Sequence, residues 1–163
     1  METTLTDGSP VPEDRSHTEI DPISGMQKGY VVLSEKERAK GYVRPLRDSY
    51  VHVGMPAPVH PLVDIPEYDQ EMAKKYHYVK YELYSEEYQK ESGCVGRYWT
   101  QEDLDRVNAG CGMSTKMGLA LAETYAVKPT FYGGTFCASC RQHFPVGKYG
   151  EFVWEGTDIR VGT

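Results

Sequence analysis

Two thiols three positions apart, Cys137 and Cys140 in the run TFCASCRQHF, constrain this chain more than any other feature of its 163 residues. At that spacing both sulfurs can face one point while backbone N–H groups of the intervening turn donate to the thiolates. Two chemistries use such a pair. A thioredoxin-like redox couple opens a helix inside a βαβ unit. Here Phe136-Cys137 leads out of a strand-like run, and RQHFPVG leads into another. That context favours a metal knuckle over a redox pair or two packed thiols on a turn, and a knuckle commits the fold to bringing in ligands from elsewhere.

Tetrahedral zinc needs four donors, so two are missing. The candidates are Cys111, Cys94, His52, His143, His60 and His77. Cys111 is the strongest, because it stands in Gly-Cys-Gly-Met-Ser, where the flanking glycines let the backbone curl around a metal-bound sulfur. Cys94, in SGCVGRYW, also lies between glycines but leads directly into a strand. For the fourth position the residues alone leave His52 and Cys94 open. His143 beside Phe144 reads as a partly exposed strand residue, or else as a partner to a ligand.

Four cysteines are too few for a disulfide-scaffolded miniprotein. The start METTLTDGSPVPEDR has neither a basic end nor an apolar stretch, so it does not read as a secretory signal, and the chain is expected to fold in a reducing cytosol. No apolar run approaches the roughly 18 residues of a membrane span. The net charge of -6 works against a generally basic nucleic-acid-binding surface, although Arg38, Lys40, Arg44 and Arg47 form one basic stretch.

Along the chain, residues 1–28 carry Pro, Gly, Ser, Thr and acids with isolated aliphatics. They predict an arm that is flexible alone or ordered by a partner. Residues 29–163 predict a single zinc-stapled α+β domain: a small antiparallel β-sheet with a zinc-ribbon-like knuckle and two to four short helices. Ser34 followed by EKERAK predicts a capped helix, and Ser49 to Val53 a strand carrying His52. The prolines at 56, 58, 61 and 66 predict an extended connector. EYDQEMAKKY follows as a helix, YHYVKYELY as a strand and SEEYQKESG as a polar loop. Arg97-Tyr98-Trp99 predicts a brief strand, and Thr100 with Asp103 starts a helix ending by Gly110. KMGLALAETYA is the clearest helix, closed by Pro129. TFYGGTFC, HFPVGKYGEFVW and DIRVG predict one small antiparallel sheet.

Further residues invite a functional reading. Tyr76, Tyr78, Tyr81, Tyr84 and Tyr88 form a stripe suited equally to recognition and to strand packing. Asp48, Glu123 and Asp158 do not assemble into an acid–base pair, and no Ser-His-Asp, P-loop or HExxH arrangement is present.

The segments GYVRPLRDSYVHVG, GRYWTQEDLD and CGMSTKMGLALAETYAVKPTFYGGTFCASCRQHFPVGKYGEFVWEGTDIRVGT resemble a family of small uncharacterised zinc-binding proteins encoded by tailed bacteriophages and prophages. The resemblance covers roughly residues 42 to 163. It joins a Tyr-Val-His strand carrying His52 to the Cys-Gly of Cys111 and to Phe-Cys-x-x-Cys carrying Cys137 and Cys140. It marks residues 55–108 as a Tyr-rich insertion, which makes Cys94 an insertion residue, expected to be a buried unligated thiol. The resemblance thus implies a structural Zn2+ held by His52, Cys111, Cys137 and Cys140, closed and without a catalytic role. It implies no reaction, so the chain is expected not to be an enzyme. Its partners are expected to be proteins, either other virion subunits, as for a capsid decoration, cement or assembly component, or a host factor that a soluble accessory protein would inhibit. A zinc-ribbon nucleic-acid module comes third, and no membrane is involved.

Overall fold

The computed structural model, which describes residues 1–163, gives the N-terminal arm a place in a sheet. Strand β1 (Thr3–Leu5) pairs antiparallel with β2 (Val31–Leu33), Thr3 opposite Leu33 and Leu5 opposite Val31. The arm has only isolated apolar side chains of its own, and β2 supplies the buried ones: Val32 and Leu33 are fully buried. Pairing with a strand already fixed by packing offsets the entropy that composition alone leaves uncompensated. Gly25, at φ +78, seats the middle of the arm, since a Cβ there would lie 2.0 Å from the carbonyl oxygen of Arg141. After β2, Ser34 accepts the Glu37 N–H and caps α1 (Glu35–Arg38). Strand β3 (Ser49–His52) alternates, turning Tyr50 and His52 inward.

The next stretch forms a unit of its own, residues 55–109. The proline-rich connector contains a two-residue strand, β4 (Leu62–Val63), followed by α2 (Gln70–Tyr76), which stops at His77 in the left-handed region. Then come β5 (Tyr78–Leu83), α3 (Glu86–Ser92), β6 (Gly96–Thr100) and α4 (Gln101–Arg106). Strand β5 is central, antiparallel to β4 and β6. Helix α3 replaces the polar loop expected there: the Ser85 side chain accepts the Tyr88 N–H at one end and Gly93, at φ 72, ends it at the other. Polar side chains hid it, because an exposed helix without an apolar stripe is visible only through its caps. Tyr84, Trp99, Ile65, Met55 and Ala73 are the buried apolar residues of this unit.

Residues 110–163 complete the first unit with residues 1–54. They form β7 (Ser114–Lys116), α5 (Leu119–Val127), β8 (Gly134–Cys137), β9 (Gln142–Pro145) and β10 (Phe152–Trp154). The carboxyl third is not one sheet: β8 and β9 make a hairpin, whereas β10 joins β3, which lies between β10 and β7. The register sets Phe152 opposite His52 and Trp154 opposite Tyr50. DIRVG contributes only a bridge from Arg160 to Val153. Helix α5 buries Ala122, Thr124, Tyr125 and Ala126 while Leu119 stays exposed, so its inward face is built from small and aromatic residues. Ala122 and Tyr125 meet Tyr50, Phe152, Trp154, Val161 and Cys137 in one core. The whole is mixed α+β, with several small antiparallel sheets and five short α-helices rather than the two to four expected.

Candidate metal centre

Four segments of the first unit converge on one point. Strand β3 supplies His52, the loop before β7 supplies Cys111, the last residue of β8 is Cys137, and the turn between β8 and β9 supplies Cys140. The His52 nitrogen and the three sulfurs all lie within 4.8 Å of one another. These are the residues that the resemblance implied, and the group can hold a metal ion.

Each ligand is held by local backbone chemistry. In the hairpin turn Arg141 N–H donates to the Cys137 carbonyl at 2.8 Å, Arg141 takes φ 56, and the Cys140 N–H points at Cys137 Sγ at 3.5 Å. The Ala138 N–H is held by Thr115 Oγ1 at 3.1 Å, tying the turn to β7. Around Cys111 the two glycines act differently. Gly112 takes φ +75 and donates to the His52 carbonyl at 2.8 Å. Gly110 passes so close to His52 that a Cβ would meet its carbonyl oxygen at 2.2 Å. Both therefore press Cys111 against the histidine strand, as its glycine-flanked sequence suggested.

Two of the separations match the edges of a tetrahedral site. With Zn–S of about 2.3 Å and Zn–N of about 2.0–2.1 Å, a regular tetrahedron has S···S edges of about 3.8 Å and S···N edges of about 3.6 Å. Cys111 Sγ and Cys137 Sγ are 3.6 Å apart, and Cys140 Sγ stands 3.5 Å from His52 Nδ1. No disulfide competes, since a sulfur–sulfur bond needs about 2.0 Å and all four cysteines are reduced.

His52 is only 1% exposed, packed against the rings of Phe144 and Phe152 at separations of 4.3 and 5.0 Å. Its Nε2 meets Glu151 Oε1 at 2.8 Å, and Glu151 is itself buried. A carboxylate there accepts a hydrogen bond from Nε2–H, which keeps the proton on Nε2 and leaves the Nδ1 lone pair toward the sulfurs, the tautomer a metal-bound imidazole needs. The Cys111 N–H also approaches Nδ1, at 3.4 Å. Glu151 is the residue that sequence reading missed. It lies 99 positions from His52 in a run, KYGEFVW, that reads as a turn entering a strand, and only the β3–β10 pairing brings it to the ring.

Electrostatics distinguishes the thiols. Burial opposes ionisation of Cys111, but the Met113 N–H, His52 and the other two sulfurs outweigh it and draw that thiol down to about 6. Burial and the two neighbouring sulfurs push Cys140 up to about 12. The close sulfurs are thus unequal, Cys111 ionising more readily and Cys140 less, because adjacent thiolates repel.

The remaining candidates lie elsewhere. Cys94 is exposed in the turn between α3 and β6, not buried as expected, because the glycines on either side leave nothing to cover it. His143 turns away from the cluster and bonds Tyr30 Oη at 2.8 Å, and its burial lowers its pKa. His60 pairs with Glu82 at 3.4 Å, while His77 is an exposed helix terminus. Of the acids weighed, Glu123 is engaged by Arg38 at 2.7 Å and Asp48 by Ser49 at 3.1 Å. The basic stretch is partly neutralised, with Lys40 on Glu37 at 2.8 Å.

Fold and site together define an α+β protein in which one histidine and three cysteines form a cluster able to take a metal ion. Comparison with protein-family models, with curated proteins and with solved structures found no match. No helix is long and apolar enough to cross a membrane.

Proposed function

We propose that the cluster takes zinc as a structural ion and that the chain is a non-enzymatic bacteriophage protein, a virion-associated component such as a capsid decoration, cement or assembly protein. The structural reading is carried by one observation. Four protein donors converge within 4.8 Å of one another, two of their separations at tetrahedral edges and the imidazole braced by a buried carboxylate, a number that would fill a zinc shell without a place for substrate. Closing that shell ties β3 to the β8–β9 hairpin and contributes folding free energy. The phage origin follows the motif resemblance. A role in binding protein is supported by the sheet of residues 55–109. Cross-strand neighbours Val63, Tyr81 and Tyr98 share one of its faces, and Leu83, two positions from Tyr81, is 52% exposed. An apolar, tyrosine-bearing sheet face of this kind suits a protein contact.

Mass spectrometry of purified virions, with elemental analysis of the isolated chain, tests both halves. The expected result is many copies per particle and one zinc per chain. Absence from virions, with one stoichiometric host protein captured from lysate, would replace the assembly role by that of a soluble inhibitor. Absence of zinc would remove the structural reading.

A further inference from the structure

The first unit also holds a cavity of about 130 Å³, separate from the metal cluster, between α5 and strands β3, β7 and β8. Its walls are aromatic and aliphatic: Tyr50, Met117, Leu121, Tyr125, Tyr132 and Phe136, with Met26 of the N-terminal arm among its lining residues. Met26 is 41% exposed, so the cavity can be entered past a flexible thioether.

The polar atoms of this lining are unequally engaged. Tyr50 Oη donates to the Phe136 carbonyl and receives the Thr135 hydroxyl at 3.4 Å. Tyr132 Oη donates to the Val31 carbonyl at 2.6 Å. Tyr125 Oη has no partner, although the residue is 3% exposed. The Thr135 hydroxyl does not reach it in bonding geometry. Burial raises the Tyr125 pKa well above its ordinary value, with Thr135 a weaker opposing influence, so the phenol keeps its proton and remains a donor. A buried hydroxyl without an acceptor is costly and rare in folded proteins, and it calls for an explanation such as a ligand.

We propose that this cavity binds a small uncharged aromatic molecule, a single ring bearing one hydrogen-bond acceptor that takes the Tyr125 proton. The volume sets the size: an apolar cavity of about 150 Å³ stays dry and takes one benzene ring. The lining sets the polarity: it offers mainly aromatic and aliphatic faces, no carboxylate and one unpaired buried donor, while its one cation, Lys116, is largely solvent-exposed and faces Asp48 at 3.7 Å.

The test uses the full chain with p-cresol and p-xylene, which match in shape and differ by one hydroxyl, followed by amide NMR shifts at Gly118 and Thr135. Both probes are expected to saturate. The ratio of affinities favouring p-cresol is expected to fall about tenfold in Tyr125→Phe, the effect of one lost hydrogen bond to a buried group. Leu121→Trp fills the space and is expected to abolish both titrations. Failure of both probes to saturate in the unmodified chain overturns the proposal, as does a ratio unchanged by Tyr125→Phe. If Tyr125→Phe fails to fold, persistence of both titrations in Leu121→Trp overturns it equally.

Discussion

Each of the two units contains a histidine against a buried carboxylate, and the two pairs have opposite uses. In the unit of residues 1–54 and 110–163, Glu151 takes His52 Nε2 at 2.8 Å and leaves Nδ1 facing three sulfurs. In the unit of residues 55–109, Glu82 is the hub. It accepts the Val59 and His60 N–H groups and the Trp99 indole N–H, each at 3.0 Å, with the His60 ring at 3.4 Å. The first carboxylate orients a ligand; the second folds the proline-rich connector back onto β5 and β6. In this chain thiols converge on the other ring nitrogen of His52 alone, and that is what makes the first pair able to take a metal ion.

The contrast breaks most readily at the sulfur. Cys137→Ser is expected to abolish stoichiometric metal and to unfold the first unit, since small structural zinc sites derive on the order of 10 kcal/mol from binding. Amide exchange should meanwhile leave β5 and β6 protected, and loss of protection in both units together would show that the two are not separately held. In the second unit, Glu82→Ala strands the buried Trp99 indole N–H and the partly buried N–H groups of Val59 and His60. A loss on the order of 3 kcal/mol is expected in urea unfolding, with metal content unchanged.

Glu151→Gln keeps the shape of the first pair but weakens its hold on the imidazole. Metal affinity measured by competition with a chromophoric chelator should fall about 10–100-fold. Acidity acts on this unit through the same cluster. Because burial and its sulfur neighbours push Cys140 up to about 12, a metal must displace its proton, and affinity should rise about tenfold per pH unit between pH 7 and 9. Below about pH 6 the Cys111 thiolate protonates as well and the dependence should steepen. Cys94→Ser, at an exposed turn, should shift stability by no more than about 0.5 kcal/mol and leave metal content alone.

How far the sequence is legible follows from which interactions are local. The knuckle residues announce themselves because a metal-bound cysteine needs glycine and turn geometry within two or three positions, which Gly110, Gly112 and the 137–140 spacing supply. His52 is marked by its strand but needs the family resemblance to be preferred over Cys94. Glu151 and Glu82 carry no local mark, because what makes each one matter lies across a sheet. The pairing of β10 with β3 instead of β9 is likewise a long-range choice, made by burying Phe152 and Trp154 against Tyr50 at edge-on separations of 5.2 and 6.4 Å. The arm's order escapes a reading of composition for the same reason: its stability comes from β2, not from its own side chains.

Zinc K-edge X-ray absorption on the reconstituted chain addresses the metal centre directly. The account requires three sulfur scatterers at about 2.3 Å and one nitrogen at about 2.0–2.1 Å, with the nitrogen shell lost in His52→Ala. A shell dominated by nitrogen and oxygen, or a chain that retains no zinc after gel filtration, would contradict it.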